Sequence, residues 1–316
     1  MIKKDTFSLD SDSLKIYYDI YLDSRFNTYK AIVQIAHGMV EHRGRYNFIA
    51  SKLAEEGYVV AINDHRGHGD SIGGDIYLGE MGENGFERAV SDMYNLHLEL
   101  KRRFTSKKFI LIGHSMGSLL SRRFLQKYQN DIDMLILCGT PSPQKFISLG
   151  IVALKILRFL GLNNIGKNLA NRLSFITFNA KYKKIDKLDS GSPSGSLWIN
   201  RDESEVLKYI NDKKSRFVFS INSFINLLRG LKEVFSTYPN NTINSKLPIL
   251  FISGEDDACG EFGVGALQAL KHINSQGYNN TKLILYAGAR HELFLELNKD
   301  EVLRDIMQWI ESNLDS

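Results

Sequence analysis

The chain contains few cysteines, few prolines and no long uncharged apolar segment. Only two cysteines occur, Cys138 and Cys259, so neither a disulfide framework nor a cysteine-rich zinc site is expected. Five prolines in 316 residues, with no low-complexity tract, argue against long linkers. The longest apolar stretch, residues 147–162, is interrupted by Lys155 and Arg158, and it is too short and too charged to span a bilayer.

The overall charge and the N-terminal residues exclude further classes of protein. The net charge of +4 is too small to indicate nucleic-acid binding, and no motif that reads DNA or RNA is present. The first residues are polar and lack the apolar segment of a secretory signal. Hydrophobic residues make up 43% of the chain and charged residues 24%, which is enough to bury a large core. We therefore expect a soluble, cytoplasmic, globular protein with no nucleic-acid partner.

Short apolar runs alternate along the chain with segments of helical periodicity. Near-continuous apolar runs are typical of strands buried on both faces of a parallel sheet. These runs are residues 31–36, 58–63, 109–112, 134–138, 249–253 and 283–286. An earlier alternating segment, residues 14–22, predicts an antiparallel edge strand or a hairpin arm. Helical periodicity covers residues 46–56, 86–104, 116–128, 263–275 and 301–314. The alternation predicts a doubly wound α/β sheet.

The alternation is interrupted by a helical and irregular stretch. We predict a core of residues 1–140 and 247–316, with a cap of residues 141–246 inserted over the carboxyl edge of the sheet, where ligands bind in open α/β sheets. Residues 141–187 contain nine Lys or Arg and one acid, Asp186, among many apolar residues. The pattern suits cap helices with solvated lysines, and it also suits contact with an anionic membrane surface or an amphipathic anionic substrate.

Residues 113–117 read Gly-His-Ser-Met-Gly, which is a G-x-S-x-G pattern. The pattern alone is weak, but here it joins a predicted strand directly to a predicted helix, and a nucleophile on such a strained turn needs small neighbours. Ser115 would stand at the sheet edge near a helix N-terminus, whose dipole favours developing negative charge. The alternative is an ordinary strand–helix turn with a capping serine.

A serine nucleophile needs a base, and the base needs a carboxylate that orients it. His272 lies inside a predicted helix, whereas His291 lies in a loop after a predicted strand, where catalytic groups concentrate. We therefore predict His291 as the base. Three acids compete in the loop after the strand at 249–253; the one furthest into the loop, Asp257, is the predicted acid and Asp256 is the alternative.

The backbone N–H groups that stabilise an oxyanion can also be predicted. One belongs to Met116, the residue after the nucleophile, and the other to Met39, in the glycine-containing loop after the strand at 31–36. His37, in the same loop, is predicted to be a buried hydrogen-bonding residue rather than a second base. The pair of histidines at 65 and 68 lacks the ligand spacing of a metal site, so neither a metal nor a cofactor is expected.

Taken together, these segments resemble the α/β-hydrolase superfamily, and within it the monoacylglycerol lipase and lysophospholipase group, also described as serine aminopeptidase-like hydrolases. Residues 37–46 (HGMVEHRGRY) resemble the group's H-G-x-x-E-H-x-x-R-Y oxyanion segment, and residues 64–71 (DHRGHGDS) its D-x-R-G-H-G-x-S loop. Residues 113–117 match its nucleophile elbow, and GEDD at 254–257 and GARHE at 288–292 resemble its acid and base loops. The resemblance implies an α/β-hydrolase fold with a helical cap, and it places the acid on Asp257.

The resemblance implies a serine hydrolase of lipid-like carboxylic esters, such as monoacylglycerols or lysophospholipids. Its triad would be Ser115, Asp257 and His291, with the oxyanion held by the N–H groups of Met39 and Met116. One alternative keeps the triad but acts on a peptide N-terminus or a thioester; the cap acids Asp202, Glu203 and Glu205 could then receive the α-amine of a peptide. The other alternative is a non-catalytic, ligand-binding α/β-hydrolase.

Overall fold

A central eight-stranded sheet organises the protein in a computed structural model, which describes residues 1–105, 107–183, 194–239 and 243–314. In chain order the strands are β1 (Ile2–Ser11), β2 (Leu14–Asp23), β3 (Ala31–Ala36), β4 (Val59–Asn63), β5 (Lys108–His114), β6 (Met134–Cys138), β7 (Ile249–Gly254) and β8 (Thr281–Tyr286). Their order across the sheet is β1-β2-β4-β3-β5-β6-β7-β8. The pairs β1–β2 and β2–β4 are antiparallel, and the remaining neighbours are parallel. The six predicted strands are the six parallel ones, so the predicted fold class is confirmed.

The N-terminal strand β1 is a strand that the sequence pattern does not predict. It lies at the sheet edge with most of its side chains exposed or half-exposed, so it lacks the apolar run that marks the inner strands. Asp12 and Ser13 join it to β2 and both have positive φ, +50° and +67°, as in a type I′ hairpin turn. The segment at 14–22 is therefore a hairpin arm, and it lies inside the sheet rather than at its edge.

Helices cover both faces of the sheet. They are α1 (Asn47–Glu55), α2 (Gly85–Arg103), α3 (Met116–Tyr128), α4 (Ile147–Phe159), α5 (Asn163–Ala180), α6 (Glu203–Asn211), α7 (Ile221–Val234), α8 (Val264–Ser275) and α9 (Lys299–Leu314). Alternate residues of β3 face opposite cores, Ile32 on one side and Val33 on the other. The first core is shared with α2, α3 and α8, and the second with α1 and α9. Two buried layers therefore fix the inner strands.

The stretch between β6 and β7 contains α4 to α7. The last of these, α7, buries Phe224, Ile225 and Val234 in the same core as α2 and α3. A separate small apolar cluster includes Tyr182, Trp198 and Val206. No helix in the described ranges combines the length and the apolar character needed to cross a bilayer.

Candidate active site

Ser115 occupies a strained turn between β5 and α3. Its φ and ψ are +52° and −117°, a positive φ that residues other than glycine uncommonly adopt. The turn is held by bonds to the serine backbone: the Ser115 N–H donates to the Cys138 carbonyl oxygen at 2.9 Å, and the Ser118 hydroxyl donates to the Ser115 carbonyl oxygen at 2.6 Å. Strain that the surroundings impose on a single residue is typical of functional sites.

The two glycines of the turn are required by backbone contacts. A Cβ on Gly117 would lie 2.6 Å from the His37 carbonyl oxygen and closer still to that of Ala36. A Cβ on Gly113 would lie 2.7 Å from the Gly117 carbonyl carbon. These backbone atoms belong to the end of β3, the loop after it and α3, and they cannot move aside cheaply, so only glycine fits at these positions.

Gly117→Ala tests this packing. We expect the free energy of unfolding to fall by about 3 kcal/mol, because overpacking against backbone displaces β3 or α3. Gly150→Ala is the matched control: its Cβ would approach nothing closer than 3.9 Å in α4, so that change should be neutral or stabilising by up to ~1 kcal/mol. Urea unfolding of both variants measures the difference, and equal stability of the two would contradict the packing argument.

Asp257 and His291 form a buried pair beyond the ends of β7 and β8. The His291 Nδ1 lies 3.0 and 2.9 Å from the two carboxylate oxygens of Asp257. Asp257 also accepts the Cys259 N–H at 2.9 Å and the Gly260 N–H at 3.3 Å, and it is fully buried. Because the carboxylate only accepts, Nδ1 carries the proton, and Nε2 is left to act as a base.

Asp256, the alternative acid, faces away from this pair. Its side chain accepts from Lys181 Nζ at 2.5 Å and is partly exposed, while its carbonyl oxygen accepts the Tyr182 hydroxyl. The structure therefore brings Asp257, and not Asp256, to His291. The histidine rejected as the base, His272, lies half-buried in α8 and bonds to the Ser236 carbonyl oxygen.

The Ser115 turn and the His291 loop lie against each other. The preceding residue, His114, bonds through Nε2 to the His291 carbonyl oxygen at 3.1 Å, and the two rings are 4.8 Å apart. The Cys259 thiol, whose pKa is raised by burial, lies near the Ser115 side chain. Among the described residues no hydrogen bond joins Ser115 Oγ to His291 Nε2. In unliganded enzymes such bonds are often long or poorly aligned and tighten only when substrate binds.

The loop after β3 lies directly against the nucleophile turn. A Cβ on Gly38 would lie 3.1 Å from the Ser115 Cβ. Neither the Met39 N–H nor the Met116 N–H has a hydrogen-bond acceptor within the described part of the chain. Two unused donors beside a serine are the requirement for stabilising an oxyanion. His37 is fully buried and hydrogen-bonded, as predicted.

A cluster of buried charged residues lies beside His291, and the sequence analysis does not predict it. Arg45 donates to both carboxylate oxygens of Glu292 at 2.7 Å and lies 3.5 Å from Glu41. Glu41 accepts the Tyr46 hydroxyl at 2.8 Å and lies 3.1 Å from His114 Nδ1. Burial opposes the charge of Glu41, but His114 and Arg45 hold its pKa well below the usual range. Burial alone would lower the pKa of His114, yet the Glu41 carboxylate raises it.

Aromatic residues from the stretch between β6 and β7 cover the other side of His291. The Trp198 ring is 5.0 Å from the His291 ring, and Phe178 and Phe175 are 4.9 and 5.8 Å from Trp198. This wall gives the site an apolar surface. No group of three or more His, Cys, Asp or Glu is placed to hold a metal ion in the ranges that the structure describes.

The sheet order, the helices on both faces and the serine on the turn after β5 define an α/β-hydrolase. The family model for serine aminopeptidase, S33, matches residues 27–298. The chain belongs to this family.

Named relatives and a solved structure agree with this assignment. The monoglyceride lipase homolog of Monkeypox virus is 27% identical over 312 residues, which cover 96% of each chain. The monoacylglycerol lipase of Mycolicibacterium smegmatis is 25% identical over 303 residues, covering 95% of this chain and 94% of that one. The crystal structure of a thermostable carboxyl esterase from Bacillus coagulans superimposes with a TM-score of 0.79 at 24% identity, over 98% of this chain and 99% of that one. The predicted superfamily and group are confirmed.

Proposed function

We propose that the protein is a serine hydrolase of lipid-like carboxylic esters, with monoacylglycerols or lysophospholipids as its substrates. The observation that carries the proposal is the buried Asp257–His291 pair placed against the strained Ser115 turn. The names of the two relatives, a monoglyceride lipase homolog and a monoacylglycerol lipase, support the choice of substrate class.

The proposed reaction proceeds through an acyl-enzyme. Ser115 Oγ attacks the ester carbonyl carbon while His291 Nε2 takes the hydroxyl proton, and the carbonyl electron pair becomes an oxyanion held by the Met39 and Met116 N–H groups. The C–O bond to the alcohol then breaks, and His291 protonates the leaving oxygen. Water, deprotonated by His291, attacks the acyl carbon. The bond from that carbon to Ser115 Oγ then breaks, His291 returns the proton to Ser115 Oγ, and the fatty acid is released. Asp257 keeps His291 in the productive tautomer throughout. The first step requires Ser115 Oγ and His291 Nε2 to come within hydrogen-bonding distance when the substrate binds.

We assign residues 141–246 to the cap that covers the acyl chain. Trp198, Phe175 and Phe178 offer apolar surface next to His291, and each buried methylene of a substrate contributes about 0.8 kcal/mol to binding. The free, buried Cys138 fits the reducing cytoplasm that we propose as the location.

Two of the three cap acids on which the aminopeptidase alternative depends are already engaged. Asp202 accepts the N–H and the hydroxyl of Ser204 at the start of α6, and Glu205 pairs with Lys208 at 2.6 Å. Carboxylates used in this way are poorly placed to receive the α-amine of a peptide. The thioesterase alternative has no feature of its own among the contacts of the site.

A substrate panel tests the proposal. Monoacylglycerols, lysophospholipids, p-nitrophenyl esters, acyl thioesters and aminoacyl anilides would be compared by kcat/KM. We expect the lipid esters to be cleaved fastest, with a preference for chains long enough to contact the aromatic wall. A higher kcat/KM for aminoacyl anilides or thioesters than for every ester would refute the assigned substrate class.

The outward sides of α4 and α5 form an exposed apolar surface, which we name the α4–α5 face. Along α4 its residues recur at intervals of three and four, as expected for one side of a helix. They are Leu149, Val152, Ile156 and Phe159 on α4, and Ile165, Leu169 and Leu173 on α5. Phe159 is 90% exposed and Leu149 68%. Contiguous exposed apolar surface of this kind marks an interaction site.

The segment that carries the α4–α5 face has basic residues and no acidic ones. Residues 141–183 contain seven Lys or Arg and no Asp or Glu. Among the described residues, the only ion pair that these cations form joins Lys181 to Asp256. Lys184, Asp186 and Lys187, which belong to the same stretch of sequence, lie outside the described residues. Apolar surface bordered by unpaired cations is complementary to an anionic lipid surface, and we include transient membrane contact in the proposal.

The double variant Lys155→Gln with Lys167→Gln tests membrane contact. At about 1 kcal/mol for each cation near an anionic surface, partition onto phosphatidylglycerol vesicles should fall roughly 30-fold. Vesicle sedimentation at low and high salt measures it, and high salt should weaken binding of the unchanged protein. Lys271→Gln with Lys282→Gln removes the same charge elsewhere and should leave binding intact. Membrane contact would be contradicted if the two double variants lost vesicle binding equally. It would also be contradicted if the unchanged protein did not bind the vesicles at low salt.

A further inference from the structure

We propose that His37 is a positioning residue for the oxyanion hole, which fixes the Gly38–Met39 peptide so that the Met39 N–H faces the reacting carbonyl. The inference rests on the proposed function, because the direction of this N–H matters only if Ser115 attacks an acyl group. It assigns to a buried histidine, which is neither the base nor a metal ligand, a role in the chemistry of the site.

The hydrogen bonds of His37 define which ring nitrogen carries its proton. The His65 backbone N–H donates to His37 Nε2 at 3.0 Å, so Nε2 is an acceptor and carries no proton. The Gly38 carbonyl oxygen lies 2.8 Å from Nδ1 and can only accept, so Nδ1 is protonated and donates. Burial and the neighbouring His65 lower the pKa of His37 well below its usual value. The ring is therefore neutral, with a single N–H that points at Gly38.

The Gly38 carbonyl and the Met39 N–H belong to one planar peptide unit. No peptide bond of the described chain is cis, so the Met39 N–H points in the direction opposite to the Gly38 carbonyl. Holding that carbonyl at His37 thus directs the Met39 N–H away from the His37 ring. Gly38 lies against Ser115, where its Cβ would be 3.1 Å from the serine Cβ, and the Met39 N–H has no acceptor among the described residues.

A second buried group holds the other side of the same glycine. The Gly38 N–H donates to Glu41 Oε1, and Glu41 is itself held by the Tyr46 hydroxyl. Val40 lies between Gly38 and Glu41 in the sequence and has a φ of +59°, a conformation that β-branched residues rarely adopt. A strained residue persists only where its surroundings over-determine it. The two bonds on Gly38 supply that constraint, and the oxyanion loop is therefore fixed before substrate arrives.

Two replacements of His37 separate the positioning role from a purely structural one. An asparagine places its side-chain N–H₂ near the position of Nδ1 and can still donate to Gly38. A glutamine places its side-chain oxygen near the position of Nε2 and can still accept from His65, which anchors the loop at residues 64–71. The positioning role requires the bond to the Gly38 carbonyl oxygen. A structural role as a loop anchor requires the bond from the His65 N–H.

The test compares His37→Asn and His37→Gln in ester hydrolysis and in stability. We expect kcat to fall about 100-fold in His37→Gln, as for a misplaced catalytic group, with KM changed by less than about twofold. In His37→Asn kcat should stay within about threefold of the unchanged enzyme, even if its midpoint of urea unfolding is lower. A lower kcat in His37→Asn than in His37→Gln would overturn the proposal. So would a rise in KM of His37→Gln with an unchanged kcat.

A measurement on the unchanged enzyme covers the case in which these variants do not fold. A trifluoromethyl ketone adds to Ser115 Oγ, the serine proton passes to His291, and the carbonyl electron pair becomes an oxyanion. In protein labelled with ¹⁵N-methionine, the amide proton signals of Met39 and Met116 should both move downfield, with Met39 assigned through Met39→Leu. A shift of Met116 without Met39 would overturn the role of His37. No shift of either, with no ester hydrolysis, would refute the proposed function itself.

Discussion

Ser115→Ala will lower kcat for p-nitrophenyl esters by at least about 10⁴-fold, because removal of the nucleophile removes the acyl-enzyme route. The change deletes one hydroxyl at a turn held by backbone bonds, so the fold should survive and the midpoint of urea unfolding should stay close to that of the unchanged protein. Steady-state hydrolysis with burst analysis measures the loss. The burst of alcohol release that reports acyl-enzyme formation should vanish as well.

Cys259→Ala is the informative companion to Ser115→Ala. The Cys259 thiol lies near the Ser115 side chain, and a thiol is itself a possible nucleophile. If Ser115 reacts, removing the thiol should leave kcat within about threefold. A large loss in Cys259→Ala together with substantial activity in Ser115→Ala would move the nucleophile to Cys259 and contradict the proposal.

Asp257→Asn will lower kcat by about 10⁴-fold at neutral pH. The amide can donate to Nδ1 of His291, and this favours the tautomer with the proton on Nε2, which cannot take a proton from Ser115. KM should change little, because Asp257 is fully buried behind the histidine and does not face the substrate. Measuring kcat and KM for one ester over a range of pH separates the two effects.

Asp256→Asn is the matched control for Asp257→Asn. It makes the same chemical change one residue away, at a partly exposed carboxylate paired with Lys181. Exposed pairs of this kind contribute between about 0 and 1 kcal/mol to stability, and the side chain does not touch His291. We expect kcat to stay within about twofold. If Asp256→Asn were the more damaging of the two variants, the assignment of the acid would be wrong.

The sheet is the part of this protein that the sequence predicts best. Strands buried on both faces need near-continuous apolar runs, so β3 to β7 stand out from the pattern. The run at 283–286 also marks a strand, β8, but this strand lies at the other edge of the sheet with most of its side chains exposed or half-exposed, so the expected burial on both faces is wrong there. β1 does not stand out, because an edge strand with mostly exposed side chains needs no such run. The Asp12–Ser13 turn before β2 also lacks the glycine that usually marks a two-residue hairpin.

The residues of the candidate site are predictable where their positions at the ends of predicted strands determine them. Ser115 and His291 follow strands at the edge where ligands bind, and the structure places their loops in contact. The choice between Asp256 and Asp257 depends on the side-chain directions within a tight loop, which composition does not reveal. Contacts between distant segments are less predictable still. Examples are the ion pair of Arg45 with Glu292 and the ring contact of Trp198 with His291.

Fluorophosphonate labelling followed by peptide mass spectrometry tests the central claim most directly. Such a probe reacts with a serine only when a base activates the hydroxyl. The unchanged protein should carry a single adduct, on the peptide that contains Ser115, and labelling should be lost in Ser115→Ala and in His291→Ala. An adduct on another residue, or labelling that persists at full rate in His291→Ala, would contradict the proposal that Ser115 and His291 act together.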